Sequence, residues 1–515
     1  LMSTAQVVAD VVSYVGCIGL VIACVIVDLK RNPRNHLRKF VNFRTLNWAI
    51  VGFSYAFAYM ARYNISCANT KDIQMFYGVT SGEYGTIILT GNIAYAISVV
   101  INGFTVDMIG AKLSMVCACI GSGFASIMSG AIMQIGNLRG NAFIANACVW
   151  YVVNNFFQTF ATCAIVKLGA NWYDITERGF FSGIFGVVIS FGFFLAFQID
   201  GLMIKNPANL YLAFIVPGCC LFGFAALNYF FVHALPEDKF EPEEITSLRA
   251  PAVQLPKSPK KVKCQQGFIK MVLELIKPIL FQKIFYVLAL IEVLLGYCRD
   301  GYLNYYKTYF STLGLKESVQ CTIAATGITI GGMFGSLLTG IISDSCFKSR
   351  RQPVAFIDFG FLLLGSLLLI PCILYDGSAY GAACMIAFNA IFFNGINGIL
   401  TSTMSMDFAG SHSSGTASGL LDGIQKIGSS LVGVIVPGIV GQNPAPKDFV
   451  WWAVSFTVPC VLSMALFAPI MKVKAKSANQ AKDVEIDDGK DLLLENDKDT
   501  TEGEDKEQGY HQIAK

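Results

Sequence analysis

Gly103-Phe-Thr-Val-Asp107-Met-Ile-Gly-Ala-Lys112 and Gly340-Ile-Ile-Ser-Asp344-Ser-Cys-Phe-Lys348 are two copies of one pattern: a glycine, an aspartate four residues on, and a lysine closing the stretch. Gly103 and Gly340 stand 237 residues apart, as do Asp107 and Asp344. The same spacing carries Arg62 onto Arg299, and at 236 it carries Ser182, Gly183 and Gly192 onto Ser418, Gly419 and Gly428. One such match would mean little in an apolar chain, but several at one spacing argue for duplication of a unit. Physically, the glycine allows close helix approach. The aspartate can meet a helix N-terminus or a basic partner and so latch one conformation. The competing reading is an ordinary charged turn.

Each copy closes a run of about 20 apolar residues, the length a bilayer-spanning helix needs. Thirteen such runs are predicted, at 7–27, 46–66, 84–104, 113–133, 143–167, 179–204, 210–234, 282–304, 320–342, 354–375, 379–400, 416–440 and 449–471. Composition agrees: 54% of the 515 residues are hydrophobic and only 14% charged, with a mean hydropathy of +0.54. A water-facing surface needs roughly 25–35% charged residues. The duplicated motifs follow the third and ninth runs, so the first run is an accessory helix and the other twelve form two parallel six-helix halves. That is an all-α polytopic membrane protein with the layout of major facilitator carriers, whose substrate site lies near the midplane between the halves.

Lys and Arg in the connections predict orientation. Lys30, Arg31, Arg34, Arg38, Lys39 and Arg44 follow the first run, whereas 67–83 carries only Lys71. Lys257, Lys260, Lys261, Lys263 and Lys270 crowd the central connection, and Lys348, Arg350 and Arg351 follow the ninth run. This places 28–45, the central loop and the C-terminus in the cytosol. The expected domains are 1–44 (accessory helix and basic linker), 45–235 (first half), 236–280 (cytosolic central loop), 281–471 (second half) and 472–515 (acidic tail). A cleaved signal peptide is the weaker reading of the first run, which is too long and lacks a preceding basic residue. The sequence opens on Leu1, so the natural N-terminus is expected upstream. The tail is expected to be disordered. Asp488-Gly-Lys-Asp-Leu492-Leu493 and Tyr510-His-Gln-Ile513 within it match adaptor-binding sorting peptides or chance.

Several function classes are excluded. The 16 cysteines lie mostly in apolar runs without CxxC or Cys/His spacing, so no metal site or disulfide framework is expected. Four histidines, none in a catalytic cluster, and the lack of a Walker-type loop leave no basis for an enzyme, a cofactor or ATP-driven pumping. No nucleic-acid partner is expected.

Ionisable groups at membrane depth cost about 2.5–3.5 kcal/mol each on insertion scales, so each needs a reason. Tyr55, Tyr59 and Arg62 stand at i, i+4 and i+7, on one helix face. Arg299 occupies the repeat-related place. Two guanidiniums facing one cavity would make a fork for an oxyanion, and phosphate suits bidentate arginine donors. The alternative for Arg62, about 25 Å along its helix, is snorkelling to the interface. Asp422 and Lys426 share a face at i, i+4, so Lys426 is either a third positive charge or the ion-pair partner of Asp422. Glu292, two turns before Arg299, is a partner of that arginine, a proton carrier, or an interfacial residue.

The Gly-x-x-x-Asp loops resemble the signature loop of the major facilitator superfamily. More narrowly, Tyr59-Met-Ala-Arg62-Tyr63-Asn64, Asn171-Trp172-Tyr-Asp-Ile-Thr-Glu177-Arg178-Gly179 and Arg299-Asp-Gly-Tyr-Leu-Asn-Tyr-Tyr-Lys307-Thr308-Tyr309 resemble the organophosphate:phosphate antiporter family over about 40–475. The resemblance implies that Arg62 and Arg299 bind the phosphoryl group and that Tyr55, Tyr59 and Tyr95 line the cavity. It also implies exchange of a phosphate ester for inorganic phosphate. Two departures stand out: a family lysine falls on Val99 and a family histidine on Ile189. Proton-coupled carriage of a carboxylate, amino acid or short peptide is therefore the second expectation, with Asp422 and Glu292 as candidate coupling groups. A non-transporting sensor or scaffold is the third. The membrane is expected to be the plasma membrane or an endolysosomal or other organellar one.

Overall fold

The computed structural model describes residues 4–31, 38–68, 71–204, 206–240, 275–315, 318–375, 379–441 and 445–471. The sorting-like peptides of the tail, Arg34 and the lysines at 257–270 lie outside them.

Every predicted run falls on a helix. Thr4–Lys30 (α1) is the accessory helix. The first half consists of Arg38–Cys67 (α2), the short Lys71–Tyr77 (α3), Ser81–Ile109 (α4), Ala111–Gly136 (α5), Gly140–Trp172 (α6), Arg178–Phe194 (α7) and Leu212–Phe231 (α8). α7 runs on as a π-helical turn, Leu195–Asp200. The second half begins with Lys283–Thr312 (α9), Val319–Ser345 (α10, with a π-helical turn at Gly327–Gly331) and Arg351–Leu374 (α11). Ala379–Gly398 (α12) winds through a π segment, Ile399–Met404, into Ser405–Val440 (α13). The chain turns back where Gly410 (φ 70°) and Ser413 leave helical geometry, so Ser405–Val440 holds two helices joined at a kink. Phe449–Phe467 (α14) completes the half.

Each half packs around its own apolar core, one centred on α2, α6 and α7 and the other on α9, α11, α12 and α14. Among the described residues, nine helical stretches are long and apolar enough to span a bilayer, one of them the joined run Ala379–Val440. α1, α2 and α9 fall outside that set. α2 and α9 carry Arg62 and Arg299, and a helix bearing charges at membrane depth is held by protein around it rather than by lipid.

The halves meet along two seams, α4 with α13 and α7 with α10, related by the internal repeat. A Cβ on Gly103 would lie 2.8 Å from the Gly415 carbonyl oxygen, and one on Gly340 only 2.1 Å from that of Gly179. This is the close approach that small residues permit between helices in membranes. Both contacts lie at the end carrying Lys30, Arg31, Lys112 and Lys348, here called the basic end.

α1 lies along the α7–α10 seam and touches both halves, with Tyr14 against Phe194 and Arg31 at 3.5 Å from Asp344. Near the basic end its Asp28 is fully buried and accepts from Arg44 Nη2 (3.1 Å), Thr45 Oγ1 (2.5 Å), Trp48 Nε1 (2.8 Å) and Tyr173 OH (3.2 Å). Further along, Gly16 lies against Ile330 of α10. Arg44, read from the sequence as a linker charge, is a buried member of α2 that also donates to Glu177 (3.1 Å). Residues 275–280, assigned to the central loop, are helical, with Leu275 and Ile279 buried.

Candidate functional site

A narrow chamber, drawn in tightly around its lining residues, lies between the halves. Arg62 and Arg299 both line it. They reach it because α2 and α9 occupy equivalent places in the two halves and turn their least apolar faces inward. Arg62 does not snorkel. It is 7% exposed, and its guanidinium carbon lies 4.2 Å from the Tyr59 ring centroid, 4.9 Å from that of Tyr95 and 5.1 Å from that of Tyr63. Cation–π contacts of this kind hold the side chain in place without a carboxylate.

Tyr55, Tyr59 and Tyr95 line the same chamber. Tyr55 OH and Tyr95 OH each share a hydrogen bond with Thr162 Oγ1, at 3.1 and 3.0 Å, and Tyr95 OH also donates to Asp422 Oδ2 (2.7 Å). That last bond joins the first half to the second. Lys426 and Asp422 line the chamber too, but they do not form the pair their spacing suggests. Lys426 Nζ lies 3.9 Å from Asp300 Oδ2, while Asp422 is engaged by Tyr95. An i, i+4 relation fixes which face two residues share, not which carboxylate on a neighbouring helix lies nearer.

Glu292 is a second correction. It is neither interfacial nor paired with Arg299: it is fully buried inside the second half, where Gln425 Nε2 donates to its Oε2 (2.8 Å). Gln425 also reaches Asn397 Oδ1 (2.9 Å), and both amides line the chamber. Sequence reasoning named none of Tyr63, Thr162, Asn397, Gln425 and Asp300 as site residues. Asp300 was the one with a visible signal, as an acid beside an intramembrane arginine. Of the two departures from the family pattern, Ile189 lines the chamber, whereas buried Val99 faces Gly419 at the seam.

Asp107 and Asp344 sit away from the chamber, at the basic end, and each reaches into the opposite half. Asp107 accepts from the backbone N–H of Gly415 (3.1 Å) and Thr416 (2.6 Å), from Thr416 Oγ1 (2.7 Å) and from Lys167 (2.6 Å). Asp344 accepts from the Phe180 N–H (2.7 Å) at the start of α7 and from Arg351. Each carboxylate thus caps the N-terminus of a helix in the other half, where free N–H groups and the helix dipole favour an anion. Arg178 Nη1 and Arg351 Nε converge on the two oxygens of Asp407 (3.2 and 3.1 Å), adding an ion pair between halves.

Residues 51–433 match the sequence profile of the Major Facilitator Superfamily. The chain is 22% identical over 413 residues to a probable sulfoacetate transporter, SauU, of Cupriavidus necator, covering 79% of this chain and 88% of that one. It is 24% identical over 389 residues to the membrane sensor protein UhpC of Salmonella typhimurium (74% and 82% covered). It is also 24% identical over 325 residues to the glucose-6-phosphate exchanger SLC37A2 of Xenopus tropicalis (57% and 64%). Among solved structures, the proton:xylose symporter XylE superposes with a TM-score of 0.65 at 12% identity, over 86% of this chain and 99% of that one. Two cores, repeat-related seams, a chamber at their junction and these relatives lead to one assignment: the chain belongs to the Major Facilitator Superfamily, and is a multi-pass membrane transporter rather than an enzyme.

Proposed function

We propose that this transporter carries a small organic anion by alternating access, and that the anion is a phosphate ester exchanged for inorganic phosphate. The observation that carries the reading is the pair Arg62 and Arg299, one from each half, on the wall of one chamber. An anion bridging them ties the halves together at their centre, and releasing it requires the halves to rock apart. Tyr55, Tyr59 and Tyr95 supply hydroxyl donors or ring faces, and Lys426 a further cation. Relatives named as a glucose-6-phosphate exchanger and a phosphoglycerate transporter support the phosphoryl group as the recognised element. Asp107 and Asp344 act as latches for the state closed at the basic end, which faces the cytosol. The C-terminal tail is then cytosolic, in a plasma or organellar membrane, where its sorting-like peptides are open to adaptors.

The test is counterflow in proteoliposomes. Radiolabelled phosphate uptake should be stimulated by internal phosphate or glycerol 3-phosphate, and a pH gradient alone should not drive it into proteoliposomes lacking an internal anion. A second reading, proton-coupled carriage of a carboxylate, amino acid or peptide, draws on buried Glu292, whose Oε1 has no hydrogen-bond partner, and on Asp422. Uptake driven by a pH gradient without counterflow selects it.

A further inference from the structure

Arg62 and Arg299 are repeat-related but not electrostatically equivalent. Among the described residues, neither arginine's Nε makes a hydrogen bond, but Arg62 has no carboxylate at ion-pair distance. Arg299 has such a carboxylate: its Nη1 lies 3.6 Å from Asp300 Oδ1, and the other oxygen of that carboxylate lies 3.9 Å from Lys426 Nζ. Asp300 is not part of the chamber wall. It lies on α9 next to Arg299, its side chain 18% exposed, with its two oxygens directed to Arg299 and to Lys426 of α13. Glu292 is fully buried with no cation at ion-pair distance among the described residues, so its carboxyl is held neutral, and the charges at the chamber are Arg62, Arg299 and Lys426 against Asp300 and Asp422. One positive charge is in surplus, and it belongs to the first half.

We infer that Asp300 sets the charge of the anion this chamber accepts: by cancelling one of the second half's two cations, it leaves a site matched to a singly charged headgroup. The inference rests on reading the chamber as an anion site. An unbalanced charge in a water-poor site is expensive, and a ligand of opposite charge relieves it. A monoanion brings the chamber to neutrality. A dianion overshoots, unless Arg299 or Lys426 is drawn off Asp300. Asp300 is on this account a positioning residue, acting through Arg299 and Lys426 without touching the ligand. The other titratable groups around the chamber are Tyr55, Tyr59, Tyr63, Tyr95, Asp422 and, behind Gln425, Glu292. All are retained when Asp300 alone is changed.

The experiment is thermal stabilisation of the purified full chain, since a ligand of the folded state raises the melting temperature by mass action. Methanesulfonate and sulfate serve as probes of fixed charge, one and two. The wild type should be stabilised more by methanesulfonate, Asp300→Asn more by sulfate, and Asp300→Glu should keep the wild-type order. Glycerol 3-phosphate adds a titrating probe. Between pH 5 and pH 7 its singly charged fraction falls about tenfold around a second pKa near 6. The wild-type dissociation constant should rise by a similar factor, and that of Asp300→Asn should stay level or fall. A wild type that favours sulfate, or an Asp300→Asn protein that keeps the wild-type order and pH profile, overturns the inference. If glycerol 3-phosphate fails to bind while the sulfonate and sulfate order reverses, the phosphate-ester reading falls and the counterion role stands. Absence of stabilisation by all three anions overturns both.

Discussion

Replacing Gly340 by alanine should pry open the basic end. The added Cβ would lie 2.1 Å from the Gly179 carbonyl oxygen, 2.9 Å from its carbon and 3.3 Å from the Gly183 nitrogen. All three are backbone atoms of α7, so no side-chain rotation relieves the overlap. The helices must separate by roughly 1 Å or more to reach ordinary contact, and overpacking of this kind costs about 1–3 kcal/mol. The strain exists only while the α7–α10 seam is closed. It therefore shifts the balance between closed and open basic ends by about 5- to 150-fold. Amide hydrogen exchange reads that shift directly, because it reports opening free energies segment by segment. Exchange should accelerate in 173–183 and 340–351. Gly103→Ala, with its nearest atom at 2.8 Å, should do the same more mildly along α4 and α13. Gly433→Ala is the control, since a Cβ there meets nothing within 4 Å. Unchanged exchange in Gly340→Ala, or an equal change in Gly433→Ala, would refute the reasoning.

Three further outcomes are expected. Asp107→Ala removes the acceptor shared by Lys167, Gly415 and Thr416. Breaking a buried pair costs about 3–5 kcal/mol, and exchange at 411–418 should accelerate while 340–351 is affected less. Asp28→Ala strips Arg44, Thr45, Trp48 and Tyr173 of their common partner. It should lower the melting temperature and loosen α1 before the rest of the first half, checked by exchange over 14–28. Tyr95→Phe deletes the hydroxyl that donates to Asp422 and meets Thr162. With a hydrogen bond to a charged group contributing about 1.5–3 kcal/mol, phosphate affinity measured by calorimetry should change by about tenfold or more while the fold is retained.

The fold was legible because duplication and bilayer length are both written in linear spacing. Gly103 and Gly340, or Arg62 and Arg299, need no third dimension to be matched. The shared chamber of the two arginines followed from the same symmetry. What spacing could not supply was the choice among neighbours on different helices. Lys426 lies one turn from Asp422 yet nearest to Asp300, and Glu292 lies two turns from Arg299 yet is held by Gln425 of α13. Arg44 was misread for a related reason. A basic residue near a helix start reads as a loop charge until Asp28 and Glu177, 16 and 133 residues away, are seen beside it. The break at Gly410 was legible too, since it falls in the gap between the predicted runs 379–400 and 416–440.

The central claim is that one anion is held between Arg62 and Arg299. Phosphate binding to purified Arg62→Ala and Arg299→Ala, each checked for an unchanged fold by circular dichroism, tests it most directly. Loss of a charged hydrogen-bonding partner at about 2–5 kcal/mol weakens binding by about 30-fold or more in each. Either variant binding phosphate as tightly as the unaltered protein would contradict the account.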